Sequence, residues 1–129
     1  MSGTQNIIYG LIILLLAFSI RRFLLFRSVR QYSPAEAAAR MSNGKGVILP
    51  DVRTAAERSD RLIQGSVHIP LHELPRRIGE LEKYRDSEII CYCRSGNRSL
   101  NAAATLRKHG FRAANLQGGM IQWNYSGHR

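Results

Sequence analysis

The chain has 129 residues, 44% of them hydrophobic and 22% charged, a balance that excludes disordered and fibrous classes and leaves room for one modest domain plus an appendage. Nineteen Lys and Arg against nine Asp and Glu give a net charge of +10, which points to nucleic acid, an anionic membrane surface or anionic small substrates. No RNA-binding aromatic motif and no zinc-finger spacing is present, which sets nucleic acid aside as a partner.

Ile7 to Ile20 (IIYGLIILLLAFSI) carries no charge. As a helix it rises only about 21 Å, short of a roughly 30 Å hydrocarbon core. The apolar character resumes at Phe23–Phe26, so a helix from near Thr4 to Phe26 is long enough to span, with Arg21 and Arg22 snorkelling toward the headgroups. A cleaved signal peptide is the competing reading, but the stretch lacks a positive n-region and a small-residue cleavage site. A buried core helix is the other, but nothing downstream calls for so apolar a partner. Arg21, Arg22, Arg27 and Arg30 all follow the apolar run, and no acid precedes Glu36. The positive-inside rule then predicts a single pass through the inner (plasma) membrane with the C-terminal domain in the cytoplasm and anionic lipid near those four arginines. The expected division is residues 1–27 as the anchor with its juxtamembrane basic cluster, 28–32 as a linker and 33–129 as the folded domain.

Ser33-Pro34-Ala35-Glu36 combines a cap, an N1 proline and a capping box, predicting a helix to Arg40 or Met41 that Asn43-Gly44 stops. Val47–Leu49 reads as a short buried strand, and Thr54 to Glu57 forms a second capping box that opens a helix. Ser66–Ile69 reads as a strand and Leu74–Lys83 as a polar helix with Pro75 in its first turn. Glu88–Tyr92 reads as an apolar strand, Asn97 or Arg98 as the start of a helix ending at Gly110, and Ala113–Leu116 as the last strand. Gly118-Gly119 then turns into a short helix carrying Trp123, a packing residue. Strands alternating with helices predict a parallel sheet covered on both faces, with ligands bound beyond the carboxyl ends of the strands. Asp51 and Cys93 each close a predicted strand and so share that edge.

The two cysteines, Cys91 and Cys93, are too close together to staple a fold, and a reducing compartment suits them. Cys93-Arg94-Ser95-Gly96-Asn97-Arg98-Ser99 lies between a buried strand and a helix N-terminus. Successive N–H groups in such a loop converge on an anion, the helix dipole adds to them, Gly96 permits the tight turn, and Arg94 and Arg98 bring full charges. A thiol there is expected to be a thiolate. Cys91 reads as a buried strand residue on the face opposite Tyr92, the alternative being a resolving thiol. His68, His72, His109 and His128 are scattered without ligand spacing, and neither metal nor cofactor is expected.

These features resemble the rhodanese-like family over most of the chain after the anchor. Val47–Arg53 (VILPDVR) with Glu57, Gly65–Pro70 (GSVHIP), the Cys-Arg-x-Gly-x-Arg-Ser loop at Cys93–Ser99, Gly110-Phe111, and Leu116–Gly119 with Trp123 all carry the likeness. The resemblance implies a three-layer α/β fold around a central five-stranded parallel sheet. It implies Cys93 as a nucleophile that accepts sulfane sulfur from thiosulfate or a persulfide and passes it to a thiophilic acceptor such as cyanide or a protein thiol, as in covalent catalysis. Arg94, Ser95, Gly96, Asn97, Arg98 and Ser99 would bind the small sulfur anion, with Asp51 and Arg53 in support; Arg98 either holds the anion or braces the loop against Asp51 or Glu57. The alternative function is a tethered persulfide carrier or binding module with little turnover. Related phosphatases separate cysteine and arginine by five residues; here four intervene, making a cradle suited to sulfur. Two departures stand out: Pro50 removes a ladder donor, so that the strand ends at Leu49 or pairs on one side there, and Arg61-Leu62 replaces the usual Gly-His.

Overall fold

A computed structural model describes residues 2–43 and 46–128. Helix α1 (Gly3–Arg27) is capped by Ser2, whose side chain and that of Gln5 close a capping box. At 25 residues it is about 37 Å long, and its mean hydropathy reaches 2.1 with none of that window buried. It is long and apolar enough to cross a membrane. Strand β1 (Arg30–Tyr32) follows almost at once, then α2 (Pro34–Ser42), β2 (Val47–Ile48), β3 (Pro50–Asp51) and α3 (Ala55–Asp60). The rest runs β4 (Val67–His68), α4 (Leu74–Arg77), β5 (Glu88–Cys91), α5 (Asn97–Lys108), β6 (Arg112–Leu116) and α6 (Gly119–Tyr125). Both expected capping boxes form, Ser33 with Glu36 and Thr54 with Glu57. The α2 stop falls on Asn43; Gly44 lies outside the described residues.

All strand pairs are parallel. A four-stranded sheet runs β1-β6-β5-β2, and β3 pairs separately with β4. The expected sheet of five continuous strands is thus corrected to a four-stranded sheet beside a two-stranded one. Pro50 supplies the reason. It has no N–H to offer β5, so the β2–β5 ladder, aligned through Ile48 and Ile89, breaks there. As expected, the strand breaks at Leu49, with β2 closing at Ile48; beyond it the Pro50 carbonyl accepts from Tyr92 N–H at 3.0 Å, and a single Asp51–Tyr92 bridge rejoins the two sheets. The 28–32 linker is also corrected: Arg30, Gln31 and Tyr32 align with Ala114, Asn115 and Leu116 as an edge strand, and Val29 is already buried. The polar helix expected over Leu74–Lys83 is one α-turn followed by 3₁₀ geometry over Ile78–Tyr84.

Alternation along β5 divides the core. Ile89 and Cys91 face the layer of α5 and α4, where Ala102, Ala103, Leu106 and Leu74 bury. Ile90 and Tyr92 face the layer of α2 and α6, against Ala37, Met120 and Trp123. Leu25 and Phe26, at the end of α1, pack on the α5 side. The helix and the domain are therefore joined by packing as well as by the chain.

Candidate active site

Cys93 lies just past β5 at the carboxyl edge of the sheet, almost wholly buried at 1% exposure. The loop curls around its sulfur. Gly96 donates its backbone N–H to Sγ at 3.0 Å, and the Ser99 hydroxyl lies at 3.3 Å. Burial alone would raise the thiol pKa. The Ser99 hydroxyl and the backbone N–H groups of Ser99, Gly96 and Ser95 outweigh it and hold Cys93 below its ordinary value. Gly96 takes φ +103° as the residue that opens α5, a conformation costly for any residue with a Cβ.

The loop carbonyls are held on the outside by α6. Met120 N–H donates to Cys93 O at 2.9 Å and Ile121 N–H to Arg94 O at 3.1 Å. Gly119 makes this docking fit: a Cβ there would lie 2.4 Å from the Cys93 carbonyl oxygen. With its carbonyls engaged, the loop turns its N–H groups inward.

A residue that sequence reasoning missed ties the base of the loop together. Asn115, 2% exposed on β6, donates to Gly96 O at 3.1 Å and to Gln31 Oε1 at 2.8 Å, and its Oδ1 accepts from Ser99 Oγ at 2.5 Å. Ser99 has one proton for two acceptors, Asn115 Oδ1 and Cys93 Sγ. A thiolate competes for that proton more strongly than a thiol does.

The predicted site residues divide into four groups. Cys93, Gly96, Ser99 and the backbone of Ser95 converge on the sulfur. Arg98 turns to Glu57, with both contacts at 2.7 Å, the geometry expected of a brace. That guanidinium holds the Glu57 carboxyl down to about 2. Arg94 and Asn97 are exposed and make no side-chain hydrogen bond among the described residues. Asp51 and Arg53 do not reach the sulfur. Arg53 binds both oxygens of the fully buried Asp51 at 2.9 and 2.8 Å. Arg58 and the Tyr92 hydroxyl add contacts at 3.1 and 3.0 Å. Burial opposes the charge on Asp51, but the Arg53 contacts prevail and its pKa is lowered. Arg53 Nη2 also reaches Arg61 O at 2.6 Å, so this network shapes the loop where Arg61-Leu62 departs from the family pattern.

Cys91 faces the core, fully buried, with its pKa pushed far up by that burial. It is a strand residue on the face opposite Tyr92. Both cysteines are free thiols. A cleft of about 490 Å³ opens beside the loop, with Arg61 and Arg94 at its rim and Met120 and Ile121 in its wall.

The profile of the rhodanese-like domain family matches residues 33–126. The chain belongs to the rhodanese-like family. It is 38% identical over 96 residues to a sulfurtransferase of Allochromatium vinosum, covering 74% of this chain and 88% of that one. It is 33% identical to a putative sulfurtransferase of Bacillus subtilis, covering 74% and 90%. Among solved structures, a rhodanese-related protein from Thermoplasma volcanium superposes with a TM-score of 0.71 at 28% identity, covering 78% of this chain and 95% of that one. The fold begins slightly before the span matched by the family, at Val29 and β1.

Proposed function

We propose that this rhodanese-like protein is a sulfurtransferase that moves sulfane sulfur through a persulfide on Cys93. The observation that carries the reading is the ring of N–H and O–H donors closed around a buried Sγ whose pKa is lowered. The thiolate attacks the outer sulfur of thiosulfate; an Sγ–S bond forms, the donor S–S bond breaks, and sulfite leaves with the electron pair. The terminal sulfur is then an anion, which the loop N–H groups stabilise as an oxyanion hole does. A nucleophile such as cyanide or a thiolate takes the outer sulfur and regenerates the Cys93 thiolate. Arg94 is the loop cation left to meet an anionic donor, since Arg98 is committed to Glu57. The relatives named as sulfurtransferases support the same chemistry.

Intact-mass spectrometry tests it. Thiosulfate should add one sulfur to Cys93, and cyanide should remove it. An unchanged mass, with Cys93→Ser indistinguishable from the parent in thiocyanate production, sinks the proposal. A carrier with little turnover is the second reading, favoured by the near-complete burial of Cys93. It predicts one equivalent of sulfur loaded and slow discharge to small acceptors.

We further infer that α1 anchors the domain, in a single pass through the inner (plasma) membrane, with the domain in the cytoplasm. The continuous apolar helix supports the anchor, and the four arginines that follow the apolar run support the orientation. The packing of Leu25 and Phe26 on the domain favours a retained helix over a cleaved one. Removal of a C-terminal tag by external protease on sealed spheroplasts would overturn the orientation.

A further inference from the structure

All nine acidic residues lie between Glu36 and Glu88, where nine basic residues balance them. The whole net charge of +10 therefore resides in the two flanking segments. Helices α1 and α5 belong to those acid-free segments, and the fold lays them side by side.

Between them runs a groove of about 240 Å³. Its walls are two helical stripes at i, i+3, i+4 and i+7 spacing, with Phe18, Arg21 and Arg22 on α1 and Asn101, Thr105 and Lys108 on α5. None of the three cations pairs with a carboxylate among the described residues, although Arg22 stacks over the Phe26 ring at 5.0 Å. Three cations around one groove repel one another until an anion enters. Depth selects the anion. About 20 residues of helix cross the hydrocarbon, so a span beginning near Gly3 brings Arg21 and Arg22 out at phosphate level, with Phe18 one turn to the bilayer side. The packing of α1 on α5 carries Lys108 of the folded domain to the same groove.

We propose that the α1–α5 groove binds the headgroup of an anionic phospholipid. Arg21, Arg22 and Lys108 hold the phosphate, and Thr105 and Asn101 supply neutral donors. The bound lipid fixes the attitude of the domain against the membrane. This rests on the reading of α1 as an anchor.

The test uses the full chain in nanodiscs of phosphatidylcholine with and without phosphatidylglycerol, counting retained lipids by native mass spectrometry. Phosphatidylglycerol should be retained in preference to phosphatidylcholine. Lys108→Gln should weaken that retention about fivefold, the loss expected for one basic residue at an anionic surface. Lys83→Gln, which removes the same charge from a segment outside the groove, should leave it unchanged. Equal retention by Lys108→Gln and the parent overturns the groove while the protein still resists alkaline carbonate extraction. Extraction by carbonate overturns the anchor itself.

Discussion

The backbone N–H of Met120 donates to the carbonyl of Cys93 at 2.9 Å, so the first turn of α6 fixes the strand end that presents the nucleophile. Gly119 lets the two approach, and it does so at φ +56°. Gly119→Ala should therefore both strain the backbone and push α6 off the loop. We expect a stability loss of roughly 2–4 kcal/mol and at least a hundredfold loss of sulfur transfer. Urea unfolding and thiocyanate production measure the two effects.

The two cysteines should behave oppositely toward iodoacetamide. Cys93 should alkylate with a midpoint below the ordinary thiol value of about 8.5, because hydrogen bonds to the sulfur favour its anion. Cys91 should react only after unfolding. Ser99→Ala should raise the Cys93 midpoint, since it deletes a donor to the anion; a downward shift would contradict the donor ring.

Asn115→Leu keeps the volume of the side chain and removes its three polar contacts. Gly96 O and the Ser99 hydroxyl lose a buried partner, at a cost of about 2–3 kcal/mol. Loop disorder should show as reduced kcat and a changed pH profile. A pH profile matching the parent would reduce Asn115 to a packing role.

The Glu57–Arg98 pair should make stability acid-sensitive. The Glu57 pKa falls from 4.5 to about 2 in the folded chain, so its contribution is complete above pH 4.5 and is lost as pH falls toward 2. Both side chains are partly exposed, which limits the contribution to about 1 kcal/mol. Glu57→Gln should show less acid destabilisation over that window in urea titrations. It should also raise KM for thiosulfate as the loop loses its brace.

Asp51→Asn leaves the 5%-exposed Arg53 without its charge partner. Breaking such a pair costs about 3–5 kcal/mol, enough to lower Tm by roughly 15 °C or more. Calorimetry checks it, and a drop of only a few degrees would show that solvent reaches Arg53.

What the sequence made legible is what local chemistry controls. The capping boxes at Ser33 and Thr54 and the turn of the Cys93 loop depend on neighbours a few residues away. Strand β1 was hidden because it is an edge strand: of Arg30, Gln31 and Tyr32 only Tyr32 is buried, which leaves no apolar run to read. Asn115 was hidden for a different reason. Within Ala113–Leu116 it looks like one polar break in an apolar strand, and its role exists only when Gln31 on β1 and Gly96 and Ser99 in the Cys93 loop arrive from two distant segments. Pro50 was legible as a flaw in the ladder, but where the sheet would divide depended on the partner strands.

The burial of Cys91 has a consequence for timing. Burial keeps the Cys91 thiol protonated, so under the proposed chemistry it is a poor nucleophile toward a persulfide on Cys93. Discharge then waits for a collision with a second molecule, and the lifetime of the loaded form becomes a clock set by the supply of acceptors.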